Sequence, residues 1–135
     1  MAFTGNYTCN VFKSGLIDGD FDFDTDTFKI ALYTNSATLD ASTTAYTSTG
    51  EVSASGYTAG GNTLTVAKGI TGGTAYISFT DTSWSAAITA RGALIYKDGG
   101  LAVCVLDFGA DKTSTTTFTV DFPTASSTDA LIRLS

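Results

Sequence analysis

The chain reads as an all-β protein, an antiparallel β-sandwich or jelly-roll-like domain with a short N-terminal helix or an extended arm. Three observations predict this. Apolar residues recur at period two through several short segments, Gly-rich and Asp-Gly turns separate those segments, and Thr, Val, Ile, Tyr and Phe fill them. Branched and aromatic side chains of this kind suit a pleated, half-buried surface. A chain of 135 residues has room for one hydrophobic core. The expected organisation is an arm or short helix over residues 1–17, followed by a single β-domain over residues 18–135.

Taken in order, Tyr7, Val11, Phe12 and Leu16 recur at near-helical spacing, and Gly15 and Gly19 limit the helix they predict. From Phe21 the period changes to two. In the run TFKIALYT, Phe28, Ile30 and Leu32 share one side and Lys29, Ala31 and Tyr33 the other. Asn35 to Gly50 is polar and carries no amphipathic signal, which predicts a loop of the kind a partner orders. Gly56, Gly60 and Gly61 punctuate two short extended pieces, with Leu64 and Val66 on one face of the second. TAYISFT and the region around Trp84 continue the strand pattern.

Asp98, Gly99 and Gly100 then separate two apolar runs, predicting a hairpin with strands at 91–97 and 101–108. Leu101, Val103 and Val105 alternate with Ala102, Cys104 and Leu106, so this strand is expected to be covered on both faces in the middle of the core. A polar loop is expected from Gly109 to Thr115. Phe118, Val120 and Phe122 form the next alternating set, which Pro123 closes because it has no N–H for the ladder. The last segment alternates Ala130, Ile132 and Leu134. The total is roughly eight strands, the pattern of a sandwich or barrel.

The composition narrows function. No histidine is present, so the usual general base near neutral pH and the commonest transition-metal ligand are missing, and an enzyme is not expected. A net charge of −6 and a pI near 4.2 oppose direct nucleic-acid binding, which begins from Lys and Arg that displace counterions. No run of 18 apolar residues predicts a membrane span, and the first residues lack a secretory pattern, so a soluble product of the cytoplasm is expected. Cys9 and Cys104, the only cysteines, are expected to be buried and reduced. No cofactor is expected.

Two further patterns bear on binding. Asp18, Asp20, Asp22, Asp24 and Asp26 place five carboxylates at period two. Read as a calcium loop from Asp18, the sixth and twelfth positions would hold Phe23 and Lys29 instead of Gly and Glu, so a solvated acidic face beside inward Phe21 and Phe23 is the preferred reading over a Ca²⁺ site. Tyr33, Tyr46, Tyr57, Tyr76, Tyr96 and Trp84 offer rings for a sugar-stacking or partner-binding surface, although core packing is the preferred role for Trp84.

The blocks DTDTFKIALYTNSA, EVSASGYTAGGNTLT, ARGALIYKDGG, VLDFGADKTSTTTFTVDFP and the closing LIRLS, in that order over residues 16–135, resemble a family of small virion structural proteins of tailed bacteriophages. The resemblance implies a particle component and carries over no catalytic residue. The Asp-rich approach to the first strand and the 35–50 segment depart from the family pattern. The expectation is a capsid decoration or cement protein on the outer capsid surface, a homotrimer that bridges subunits of the major capsid protein. A tail, collar or fibre-associated adhesion module is the alternative. Phe3, Tyr7, Val11, Phe12, Tyr46 and Tyr57 are the candidate interface residues.

Overall fold

The computed structural model describes residues 3–135. Its elements in chain order are β1 (Tyr7–Thr8), α1 (Asn10–Asp18), β2 (Phe28–Tyr33), β3 (Asn62–Leu64), β4 (Val66–Thr71), β5 (Thr74–Phe79), β6 (Thr82–Trp84), β7 (Thr89–Lys97), β8 (Ala102–Thr113), β9 (Phe118–Val120) and β10 (Ile132–Leu134). Every strand pairing is antiparallel. A five-stranded sheet runs β1-β8-β7-β2-β3, a three-stranded sheet runs β10-β5-β4, and β6 pairs with β9. The sheets pack as a sandwich-like all-β fold.

The hairpin predicted around Asp98 is the spine of the large sheet. Lys97 and Leu101 close it through the Lys97 N–H, which donates to the Leu101 carbonyl at 2.9 Å. Ala102, Val103, Cys104 and Val105 are all buried, as are Leu94, Ile95 and Tyr96 opposite them. Alternating apolar residues on both faces require cover on both faces, and the structure supplies it. β8 is longer than expected: it continues to Thr113, where the sequence suggested a polar loop beginning at Gly109. Lys112 faces Ala90 and Thr113 faces Thr89 across the ladder. Ladder hydrogen bonds use backbone groups alone, so exposed polar side chains do not prevent a strand from continuing.

On one face of that sheet, phenylalanines dominate. Phe28 of β2 stacks on Phe23 at 4.5 Å between ring centroids and also meets Phe21 and Phe79. Phe12 of α1 meets Phe21 edge-on at 4.9 Å. The Asp-rich run is thereby explained: Phe21 and Phe23 turn inward while Asp20, Asp22 and Asp24, which alternate with them, are exposed. Asp24 pairs with Lys68 at 2.8 Å and Asp26 with Lys97 at 3.1 Å, and the Asp22 carboxylate accepts the Asp24 N–H. Among the described residues no group of three or more acidic, Cys or His side chains converges as metal ligands do.

The helix over 10–18 matches the spacing of Val11, Phe12 and Leu16, while Tyr7 belongs to the short strand before it. Cys9 stands extended at the N-cap, and its carbonyl accepts the N–H groups of Phe12 and Lys13. Gly19 ends the helix in the left-handed conformation at φ 79°, and its N–H returns to the Gly15 carbonyl. Phe3, Cys9 and Phe12 lie in the same hydrophobic core as the strands, so residues 3–17 are docked on the domain.

The segment from Asn35 to Gly50 is ordered by its own chain. Ala37 and Leu39 are buried, Tyr33 donates to the Thr47 carbonyl at 2.7 Å, and Ala45 forms a backbone bridge with Leu101. Only two apolar side chains, Ala37 and Leu39, are buried within residues 35–50, which is why no periodicity marked the segment in the sequence. Beyond Asn62, where β3 no longer covers β2, the Val52 N–H donates to the Leu32 carbonyl and the Leu32 N–H donates to the Tyr57 hydroxyl. An otherwise open strand edge is closed by a loop and a phenol. Gly61 makes the approach possible: a Cβ there would fall 1.7 Å from the Ile30 carbonyl oxygen.

Candidate interaction surface

Burial sorts the six candidate interface residues. Phe3, Phe12 and Tyr57 are buried, at 9% exposure or less, and their packing partners lie within the chain. They are core residues and offer no surface, because the large rings that mark an interface in sequence mark a core equally well. Tyr7, Val11 and Tyr46 are half-buried. Tyr7 sits at the sheet edge with its hydroxyl 2.6 Å from Thr4 Oγ1. Tyr46 and Tyr57, eleven positions apart in sequence, are brought together; the other four remain at the N-terminal side of the fold.

What joins Tyr46 and Tyr57 is Glu51, the only glutamate in the chain. Its carboxylate accepts the Tyr46 hydroxyl at 2.5 Å, the Tyr57 hydroxyl at 2.7 Å and the Gly60 N–H at 2.8 Å. Charge-assisted bonds of this kind are the strong members of their class. Tyr96 completes the cluster by donating to the Gly60 carbonyl at 2.6 Å and stacking on Tyr46 at 5.0 Å. Burial raises the pKa of all these phenols, with the hydrogen bond to Glu51 reinforcing it for Tyr46 and Tyr57; Tyr46 and Tyr96 are pushed up to about 12. The phenols stay protonated at neutral pH and serve as fixed walls. Sequence reasoning listed the tyrosines but missed Glu51, whose signal was its being the sole glutamate, placed just ahead of a Tyr and Gly-rich stretch.

A second surface lies on the three-stranded sheet. Register places Val66, Lys68 and Ile70 of β4 opposite Phe79, Ile77 and Ala75 of β5, and Ile132 and Leu134 of β10 opposite Ile77 and Ala75, all on one face. At one end of this face Phe79 and Ile132 are buried in the core. At the other, Ile70 is 71% exposed and Leu134 is 50% exposed. A groove of about 330 Å³ runs between them, with Phe23, Tyr76 and Ile77 in its walls. β4 and β10 are the two edges of the sheet, and the register leaves each with one side unpaired by a named strand. The arrangement can bind another apolar surface and extend by edge pairing. Ile70 and Leu134 were legible as apolar residues in the sequence, but nothing there distinguished them from the buried residues of the same strands.

Cys9 and Cys104 are both free and buried. Burial raises both thiols, Cys9 to about 11, which leaves them protonated and poorly nucleophilic. Among the described residues no helix is long and apolar enough to cross a membrane. No family model matches this chain, and neither the curated proteins nor the solved structures searched contain a match.

Proposed function

We propose that the protein is a structural component of tailed-bacteriophage virions: a capsid decoration or cement protein that sits on the outer capsid surface and bridges subunits of the major capsid protein. It acts by adhesion as a homotrimer, catalyses no reaction and uses no cofactor. The observation that carries the adhesive part is the bare apolar end of the three-stranded sheet, with Ile70 and Leu134 in water beside two open sheet edges. Exposed apolar side chains grouped on one sheet face are what association removes from water. A low charged fraction of 15% supports the same reading, because few ammonium and carboxylate groups must be desolvated when such a surface is covered. The virion assignment is supported by the ordered sequence blocks that resemble phage structural proteins.

Particles assembled without the protein test the proposal. They are expected to form but to lose genome more readily on heating or osmotic shock. Wild-type protein added back should restore resistance, and the double variant Ile70→Asp with Leu134→Asp should fail to do so. Unchanged shell stability with lost adsorption to host cells would replace the cement reading with the tail-module alternative.

A further inference from the structure

The Tyr46–Tyr96 wall borders a cavity of about 480 Å³, open to solvent, whose other lining residues include Lys29, Gly60, Asp98 and Gly100. Its size lies within the range of small-ligand sites. Three properties of the cavity meet there. The first is rigidity. Tyr46 is held through its hydroxyl by Glu51, Tyr96 through its hydroxyl by the Gly60 carbonyl, and the two rings brace each other at an interplanar angle of 29°. Glu51 is in turn fixed by Tyr57 and the Gly60 N–H. The half-buried Tyr46 ring is therefore a wall that costs little entropy to use.

The second is charge. Lys29 stands on β2 directly opposite Tyr96 of β7, and Asp98, whose N–H donates to the Thr27 carbonyl, begins the hairpin turn that also lines the cavity. Lys29 and Asp98 form no ion pair among the described residues, whereas Lys68, Arg91 and Lys97 each hold a carboxylate. The Glu51 carboxylate is already engaged by two phenols and the Gly60 N–H, which leaves one ammonium and one carboxylate to meet a ligand. A charged ligand would meet a repelling group beside its attracting one, but a neutral ligand with groups that both donate and accept can engage the two together.

The third is the pairing of a flat ring with polar groups. A saccharide presents a C–H face that packs on an aromatic wall and an array of hydroxyls that donate to a carboxylate and accept from an ammonium. From these observations we infer that this cavity is a binding site for a short neutral saccharide, with Tyr46 as the stacking wall, Asp98 and Lys29 as hydroxyl partners, and Glu51 as the positioning residue. This inference is independent of the virion assignment.

Saturation-transfer NMR of the intact protein with glucose, galactose, N-acetylglucosamine and maltose at millimolar concentration tests it. Transfer to ring protons of at least one of the four is expected. Asp98→Ala, at an exposed turn position, should weaken that binding about tenfold without altering the circular dichroism spectrum, and Tyr46→Ala should weaken it at least as much. Tyr46→Phe keeps the ring and releases only its tie to Glu51, so its loss should be smaller than that of Tyr46→Ala. No transfer to any of the four sugars overturns the site. So does transfer that persists undiminished in Asp98→Ala protein with an unchanged spectrum.

Discussion

The five-stranded and the three-stranded sheets are built from similar residues, yet they spend them differently. In β2, β7 and the first part of β8 both faces are covered, so Ala31, Leu32, Leu94, Ile95, Val103 and Val105 are all removed from water. In β4, β5 and β10 the same alternation buries Phe79 and Ile132 at one end and leaves Ile70 and Leu134 bare at the other. The difference is one of neighbours. The large sheet lies between the Phe-rich segment with α1 and the tyrosine-bearing loop, whereas the β4–β5 hairpin extends past its cover. The first sheet places its apolar side chains where they stabilise the chain; the second holds some where only association can bury them.

The largest effect should come from cutting into the large sheet. Leu94→Ala is expected to cost about 2–5 kcal/mol and Val103→Ala about 1–3 kcal/mol, because each leaves a cavity in a site closed on both faces. Denaturant unfolding checks both. A loss at Leu94 no greater than that of a surface substitution would mean the sheet is not packed as described.

The tyrosine loop that covers the large sheet should fail next. Glu51→Gln replaces an ionised acceptor of three hydrogen bonds by a neutral amide, and the expected cost is about 1–3 kcal/mol in thermal or chemical unfolding. Alkaline pH probes the same region. In the folded chain the phenols of Tyr33, Tyr46, Tyr57 and Tyr96 are all raised, so the unfolded chain gives up its protons first. Their contribution is fully present below the unfolded value near 10 and is lost as pH climbs from there through the folded values of Tyr46 and Tyr96 near 12. The buried thiols add to the loss from about pH 9 upward. Unfolding free energy measured across this range should fall, and ultraviolet titration of a Tyr7→Phe, Tyr76→Phe variant, which keeps only these four phenols, should show phenolate appearing together with unfolding; phenolate that forms in that variant while it is still folded would refute it.

The smallest effect on stability belongs to the bare end of the three-stranded sheet. Ile70→Asp and Leu134→Asp should each change unfolding free energy by no more than about 0.5 kcal/mol, since the side chains gain little from the monomer. Sedimentation should nonetheless show self-association weakened in both. Loss of stability without a change in association would identify these residues as ordinary packing and erase the contrast between the sheets.

Much of the fold was written in local patterns. Period-two alternation around Ile30, Val103 and Val120 placed three strands, Asp98-Gly99-Gly100 placed the central hairpin, and Val11, Phe12 and Leu16 with Gly19 placed the helix and its end. These signals are legible because side-chain direction along one element depends only on its own backbone. The strand nature of residues 109–113 was not, since its support is a neighbouring backbone.

The binding surfaces were the least legible part. Composition alone set the absence of histidine, the acidic charge and the low charged fraction. Tertiary structure decided that Phe3, Phe12 and Tyr57 face inward, that Ile70 and Leu134 face water, and that one glutamate gathers two tyrosines and a glycine N–H. The physical reason is that a side chain's hydrophobicity belongs to the residue, but its exposure belongs to whatever packs above it, and those neighbours come from distant parts of the chain.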